Sequence, residues 1–186
     1  AWATDEELTD TKLRYQFDKS KPFRSHHAQQ IKLIDEPVLP VDGQYLGYPV
    51  FDGESVVLLV VNFTESAIHI LRFLHQQEKT QEVVRLPLSA VKDCYNLILH
   101  PSPLSLTRQP NDGTFEIIWP EQIRFAISSR ETLNFRDGDK LYFSIWYEDP
   151  DYREETLVRS AQDGTILERF SGDIRIMPNR ERWLIK

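Results

Sequence analysis

The sequence predicts a mainly β chain, an antiparallel β-sandwich or barrel-like fold of about twelve short strands with at most one or two short helices. Three observations predict it. Five of the seven glycines directly follow an aspartate, at Asp42-Gly43, Asp52-Gly53, Asp112-Gly113, Asp137-Gly138 and Asp163-Gly164. Asp-Gly supplies the positive-φ residues that tight strand-to-strand turns demand. Between these corners, apolar and polar residues alternate with the two-residue period of a half-buried strand. The ten Phe, seven Tyr and four Trp fall mostly in those stretches, where a pleated surface accommodates them.

Residues 1–30 are polar and lack a sustained period, and read as an N-terminal arm with a short strand at Leu13–Phe17. Residues 31–186 read as a single β-rich domain. Tyr45–Phe51 is a strand bracketed by Asp-Gly on both sides. Ser55–Phe63 contains the unbroken apolar run Val56–Val61, which predicts burial on both faces. Ala67–His75 has Ala67, Ile70, Leu71 and Leu74 at helical spacing, with Thr64 or Ser66 as N-cap. The same residues suit a strand that returns through Gln76–Gln81 into Val83–Leu88, and this hairpin is the preferred reading. Pro87 cannot donate to a ladder, so that strand lies at an edge or ends there.

Tyr95–Leu99 is a short apolar strand halted by His100-Pro101-Ser102-Pro103. Leu104–Gln109 and Thr114–Trp119 flank the turn Pro110-Asn111-Asp112-Gly113, the cleanest hairpin in the chain. Ile123, Phe125 and Ile127 mark one face of the next strand. Asp137-Gly138-Asp139 turns into Lys140–Tyr147, with Leu141, Phe143 and Ile145 on one face and Tyr142, Ser144 and Trp146 on the other. Thr156–Ser160 and Thr165–Phe170 join through Asp163-Gly164, and Ile174–Met177 and Arg182–Ile185 close the chain. Residues 141–186 have the spacing of one four-stranded propeller blade, so a β-propeller-like fragment is the alternative. At roughly 40–45 residues per blade the chain would hold only about four, and no WD or kelch signature repeats.

Composition bounds function. The chain of 186 residues, 40% hydrophobic and 27% charged, suits one sizeable core rather than disorder. A net charge of −7 argues against nucleic acid as a partner, because phosphate binding needs a concentrated positive field. The basic clusters Lys19–Arg24 and Arg175–Lys186 are short and read as solvated. No apolar run reaches membrane-spanning length. The chain opens on Ala1 rather than Met, which leaves two readings open: a leader has been removed, as from an exported periplasmic or secreted protein, or the sequence is a trimmed piece, and the residues do not assign a compartment. Asn62-Phe63-Thr64 fits a glycosylation sequon but arises readily by chance. A single cysteine, Cys94, excludes a disulfide framework and reads as a small buried hydrophobe.

No nucleophile elbow, phosphate loop, His-Glu-x-x-His or dinucleotide fingerprint is present. The five histidines, His26, His27, His69, His75 and His100, do not assemble a metal site. On a strand His69 and His75 share a face but stand about 20 Å apart, and on a helix they diverge. Paired carboxylates for glycoside hydrolysis could come from Glu116, Glu121, Glu148 or Asp149, with Trp119 and Trp146 stacking on sugar faces. Trp119 and Trp183 read more simply as half-buried packing beside strand ends.

The acidic aromatic segment after the Lys140–Tyr147 strand carries the chemistry. Trp146, Tyr147, Glu148, Asp149, Asp151, Tyr152, Arg153 and Glu154 form the expected partner-binding set. Aromatics provide contact area and carboxylates provide steering. Glu148, Asp149 and Asp151 are also oxygen donors for Ca²⁺, although the spacing departs from an EF-hand loop; no cofactor is otherwise expected. The expected function is non-enzymatic protein binding, in the manner of an inhibitor or toxin-neutralising protein. In bulk properties the chain is similar to small bacterial proteins of that kind, with no motif behind the likeness. Two alternatives stand beside it. One is a carbohydrate-binding or carbohydrate-cleaving β-domain, the other a structural β-module of an envelope or larger assembly.

Overall fold

The computed structural model describes residues 43–53, 55–74, 79–148, 151–177 and 181–185. The arm expected over 1–30, with His26, His27 and the strand at Leu13–Phe17, lies outside the described residues, as do Asp42, His75, Asp149 and Pro150. Among the described residues, fifteen antiparallel strands form several sheets. Among the described residues no sheet closes into a barrel and no α-helix occurs; a single 3₁₀ turn spans Leu88–Ala90. The chain is a mainly antiparallel β fold. It divides into two compact units, Ala1–Arg108 and Gln109–Lys186.

In the first unit, strands β1 (Gln44–Leu46) and β2 (Val50–Asp52) share one flank of β3 (Ser55–Asn62), and β4 (Ala67–Leu74) and β5 (Lys79–Pro87) follow on the other. The strand expected over Tyr45–Phe51 is thus broken in two. Gly47-Tyr48-Pro49 interrupts it, because Pro49 has no N–H to give the ladder. Only the Gly47 N–H donates to β3 there, to the Leu59 carbonyl at 2.8 Å. β3 is buried on both faces, from Val56 through Asn62, as its continuous apolar run requires. Ala67–Leu74 is a strand, so the hairpin reading prevails over the helix. β5 carries Pro87 at the outer edge of the sheet. β6 (Leu97–His100) and β7 (Ser105–Arg108) form a further hairpin. The fully buried Arg108 guanidinium donates to the Asp93 carboxylate at 2.6 Å and, through Nε, to its carbonyl oxygen at 3.0 Å. Cys94 beside them is buried, and that burial first, with Asp93 second, pushes its thiol up to about 12. The thiol is inert packing at neutral pH.

The second unit contains the hairpin β8 (Thr114–Trp119) and β9 (Ile123–Ala126) and the up-and-down sheet β10 (Glu131–Asp137), β11 (Lys140–Tyr147), β12 (Arg153–Ser160) and β13 (Ile166–Ser171). A second hairpin, β14 (Asp173–Ile176) and β15 (Arg182–Ile185), ends it. β8 packs against one face of the four-stranded sheet, sandwich fashion. Phe115 and Ile117 of β8 meet Leu141, Phe143 and Ile145 of β11 and Leu157 of β12. The Phe115 and Phe143 rings meet edge to face at 5.2 Å and 83°, the arrangement their quadrupoles favour. Each such side chain contributes about 1.5–3 kcal/mol by leaving water.

Two charges share this core. The Arg159 guanidinium donates to both oxygens of Glu131, at 2.8 and 3.0 Å, and to the Gly164 carbonyl at 2.6 Å. Glu131 also accepts from the Ser128 backbone at 2.8 Å. The guanidinium lies 5.7 and 6.0 Å from the Phe125 and Phe143 ring centres. Burial is tolerated because each guanidinium nitrogen and both carboxylate oxygens find a partner. The Asp163-Gly164 corner belongs to the same arrangement. Gly164 has φ +74, and a Cβ there would stand 2.2 Å from the Phe125 ring, so both backbone and packing demand glycine.

β10 has no counterpart among the strands expected from sequence. Its apolar residues are Leu133 and Phe135, and the register shifts between them. Leu133 opposes Phe143 and Phe135 opposes Tyr142, so the bulge turns two residues of equal parity to opposite faces. A period-two reading cannot survive that.

Candidate recognition face

The face of the second unit's sheet turned away from β8 presents Thr132 and Phe135 of β10 and Tyr142, Ser144 and Trp146 of β11. β12 adds Glu154, Thr156 and Val158. β14 runs over this face and is pinned by polar contacts. The Thr156 hydroxyl donates to the Gly172 carbonyl at 2.9 Å and accepts from the Ile174 N–H at 3.1 Å. The buried Asp173 carboxylate accepts from Asn134 Nδ2 at 2.9 Å and from Arg175 Nε at 2.8 Å. On β15, Arg182 donates to Asp137 at 2.7 Å and sits 5.6 Å from the Phe135 ring centre, which itself stacks on Tyr142 at 4.4 Å. An open groove of about 460 Å³ remains between β14 and the sheet. Trp146, Ser144, Thr132, Asn134, Asp173 and Arg175 stand along it.

The acidic aromatic segment is more ordered than a loop. Tyr147 opposes Arg153 and Trp146 opposes Glu154 in the β11–β12 ladder, so four of the eight expected binding residues belong to strand ends. Period two then divides them. Trp146 and Glu154 point to the grooved face. Tyr147 and Arg153 point to the core side, where Tyr147 packs against the apolar cluster and the Arg153 guanidinium lies 4.1 Å from its ring centre. Arg130 lies 5.3 Å from the same ring. Glu148, Asp151 and Tyr152 form the connection, all exposed, and Asp149 lies outside the described residues. The Tyr152 hydroxyl donates to Glu154, which pushes the phenol above its ordinary pKa. Trp146 keeps 45% of its surface and Tyr152 keeps 67%. Among the described residues neither Glu148 nor Asp151 has a cationic partner.

The remaining candidates are held in structural contacts. Glu116 pairs with Arg124 at 3.3 Å. Glu121 takes a two-pronged contact from Arg136 at 2.9 Å on each prong, which holds its carboxyl below the ordinary range. His69 bonds to Glu82 at 2.7 Å, and His100 to the Thr107 hydroxyl at 2.8 Å. Burial lowers the His100 imidazole to about 4. Among the described residues no three of His, Cys, Asp and Glu gather as metal ligands, and no helix is long and apolar enough to cross a membrane. Trp119 is half-buried as expected, whereas Trp183 is 53% exposed on β15 and is not packing beside a strand end. All four residues of β15 are exposed, so neither face of the strand is buried against a core.

Sequence reasoning missed Thr132, Asn134, Asp173 and Arg175. The first two sit on the bulged strand that no period reveals. The signal for the others was Asp173-Ile174-Arg175, opposite charges two apart on one strand face. A scan against protein-family models finds no match, and comparison with curated proteins and with solved structures finds no similar chain.

Proposed function

We propose that this chain is a non-enzymatic protein-binding domain, and that the end of the β11–β12 hairpin, from Trp146 to Glu154, is its docking surface. One observation carries the reading: two large aromatics, Trp146 and Tyr152, are exposed beside Glu148 and Asp151, carboxylates without a cationic partner among the described residues, at the end of a paired two-strand support. Exposed aromatics supply contact area at low entropic cost, and they anchor most strong interfaces. From Glu148 to Glu155 the sequence has five carboxylates against one arginine, so the partner offers a basic surface with apolar pockets. Such charge speeds encounter and selects the partner more than it tightens the complex.

The test replaces Glu148 and Asp151 by Ala together, and separately Trp146 by Ala, in capture assays at low and raised salt. The acidic pair should slow association and remove its salt sensitivity, and Trp146→Ala should weaken the complex outright. Melting temperatures should stay near the parent value in both. Capture unchanged in both variants, with folding intact, sinks the assignment.

A further inference from the structure

We infer that the groove between β14 and the β10–β11 surface is a separate binding site for a neutral saccharide. The inference rests on the groove's own groups rather than on the hairpin end. Thr132 and Ser144 oppose one another across the β10–β11 ladder, which places their side chains on one face about 5 Å apart. Neither hydroxyl bonds to another described residue. Asn134 gives its Nδ2 to Asp173 at 2.9 Å, which fixes the amide and leaves its carbonyl oxygen as an acceptor. Arg175 gives its Nε to Asp173 at 2.8 Å, and its terminal N–H groups have no partner among the described residues, so they stand as donors.

These groups suit a polyhydroxylated ligand. They offer donors and acceptors side by side, and a sugar hydroxyl is both at once. Among the described residues lining the groove the one cation, Arg175, is already matched by the buried Asp173, so the site gains little from an anion. Trp146 adds a flat apolar plate on which the C–H face of a pyranose ring can lie. The groove's volume, about 460 Å³, falls within the range of about 300–1,000 Å³ occupied by small-molecule sites. Trp146 is shared with the docking surface, whereas Thr132 and Ser144 belong to the groove alone.

The experiment titrates the full chain with neutral hexose and N-acetylhexosamine oligosaccharides from di- to hexasaccharide, reading tryptophan fluorescence and binding heat. A saturable response should appear at millimolar concentration or below. Trp183→Phe should retain it and Trp146→Phe should lose the fluorescence change. The double variant Thr132→Val with Ser144→Ala deletes two hydroxyls without touching the core, and should weaken binding by about tenfold or more. Its melting curve checks that it folds. The same variant should capture a protein partner normally, while Glu148→Ala with Asp151→Ala should bind sugar normally, so the two sites fail independently. No response to any neutral oligosaccharide would overturn the inference. So would a response confined to uronate-bearing sugars, or affinity unchanged in the hydroxyl-deleted variant.

Discussion

β11 has two faces, and they differ in what their residues touch. Leu141, Phe143 and Ile145 are buried against β8 and β12, each ringed by apolar neighbours. Tyr142, Ser144 and Trp146 are one residue out of phase: Ser144 and Trp146 line a groove, and Tyr142 stacks on Phe135. The ion pairs follow the same division. Glu131 and Arg159 lie inside, with each guanidinium nitrogen and both carboxylate oxygens partnered. Asp173 is buried, but its partner Arg175 reaches the surface. One face of the strand is accounted for by packing. The other holds the Trp146 indole and the Ser144 hydroxyl, which faces the Thr132 hydroxyl of β10; packing explains none of these, and that is the physical ground for reading it as a recognition face.

The largest expected effects break the inner face. Phe143→Ala should cost about 3–5 kcal/mol, as truncation of a buried aromatic does, read from denaturant midpoints. Arg159→Ala should cost a similar amount, about 3–5 kcal/mol, because it strands the Glu131 carboxylate in an apolar setting. Replacing both Glu131 and Arg159 by apolar residues of similar volume should recover much of that loss. If it does not, the pair contributes more than mutual compensation.

Smaller effects belong to the outer face. Trp146→Ala should change stability by less than about 1 kcal/mol, and Ser144→Ala by no more than about 0.5 kcal/mol. A loss from Ser144→Ala approaching that from Phe143→Ala would erase the distinction between the faces. The smallest effect is a pH dependence at the rim. Arg136 depresses the Glu121 carboxyl in the folded state, so the contact stabilises above the ordinary glutamate range and is lost as pH falls through the depressed value. The Glu121 side chain is 42% exposed, so solvent screening limits the contribution to about 1 kcal/mol or less. The stability difference between parent and Glu121→Gln should therefore shrink on acidification. A difference that grew would reverse the sign of the interaction.

Much of this architecture was legible in the chain. The five glycines that follow aspartate all have positive φ, so the corners read correctly from turn chemistry alone. The alternation in Lys140–Tyr147 also gave both faces of β11 in advance. The site was harder to see. Trp146, Tyr152, Glu148 and Asp151 were visible as an unusual cluster, but the ladder pairing that separates Trp146 and Glu154 from Tyr147 and Arg153 depends on where β12 starts. It starts at Arg153, three residues before the expected Thr156. The groove needed two elements that local pattern could not supply, the bulged β10 and the crossing of β14 over the sheet through Thr156 and Asn134. Contacts between residues about forty positions apart leave no local periodic trace.

Site-specific photo-crosslinking tests the central claim most directly. A photoreactive phenylalanine analogue is placed at Tyr152, on the proposed surface, and in parallel at Tyr48, an equally exposed aromatic of the other unit. The account predicts a discrete crosslinked partner from position 152 that fades as salt is raised and is lost when Glu148 and Asp151 are Ala. Position 48 should give none. Equal crosslinking from both positions, or a product from position 152 that is indifferent to salt and to the two carboxylates, would contradict it.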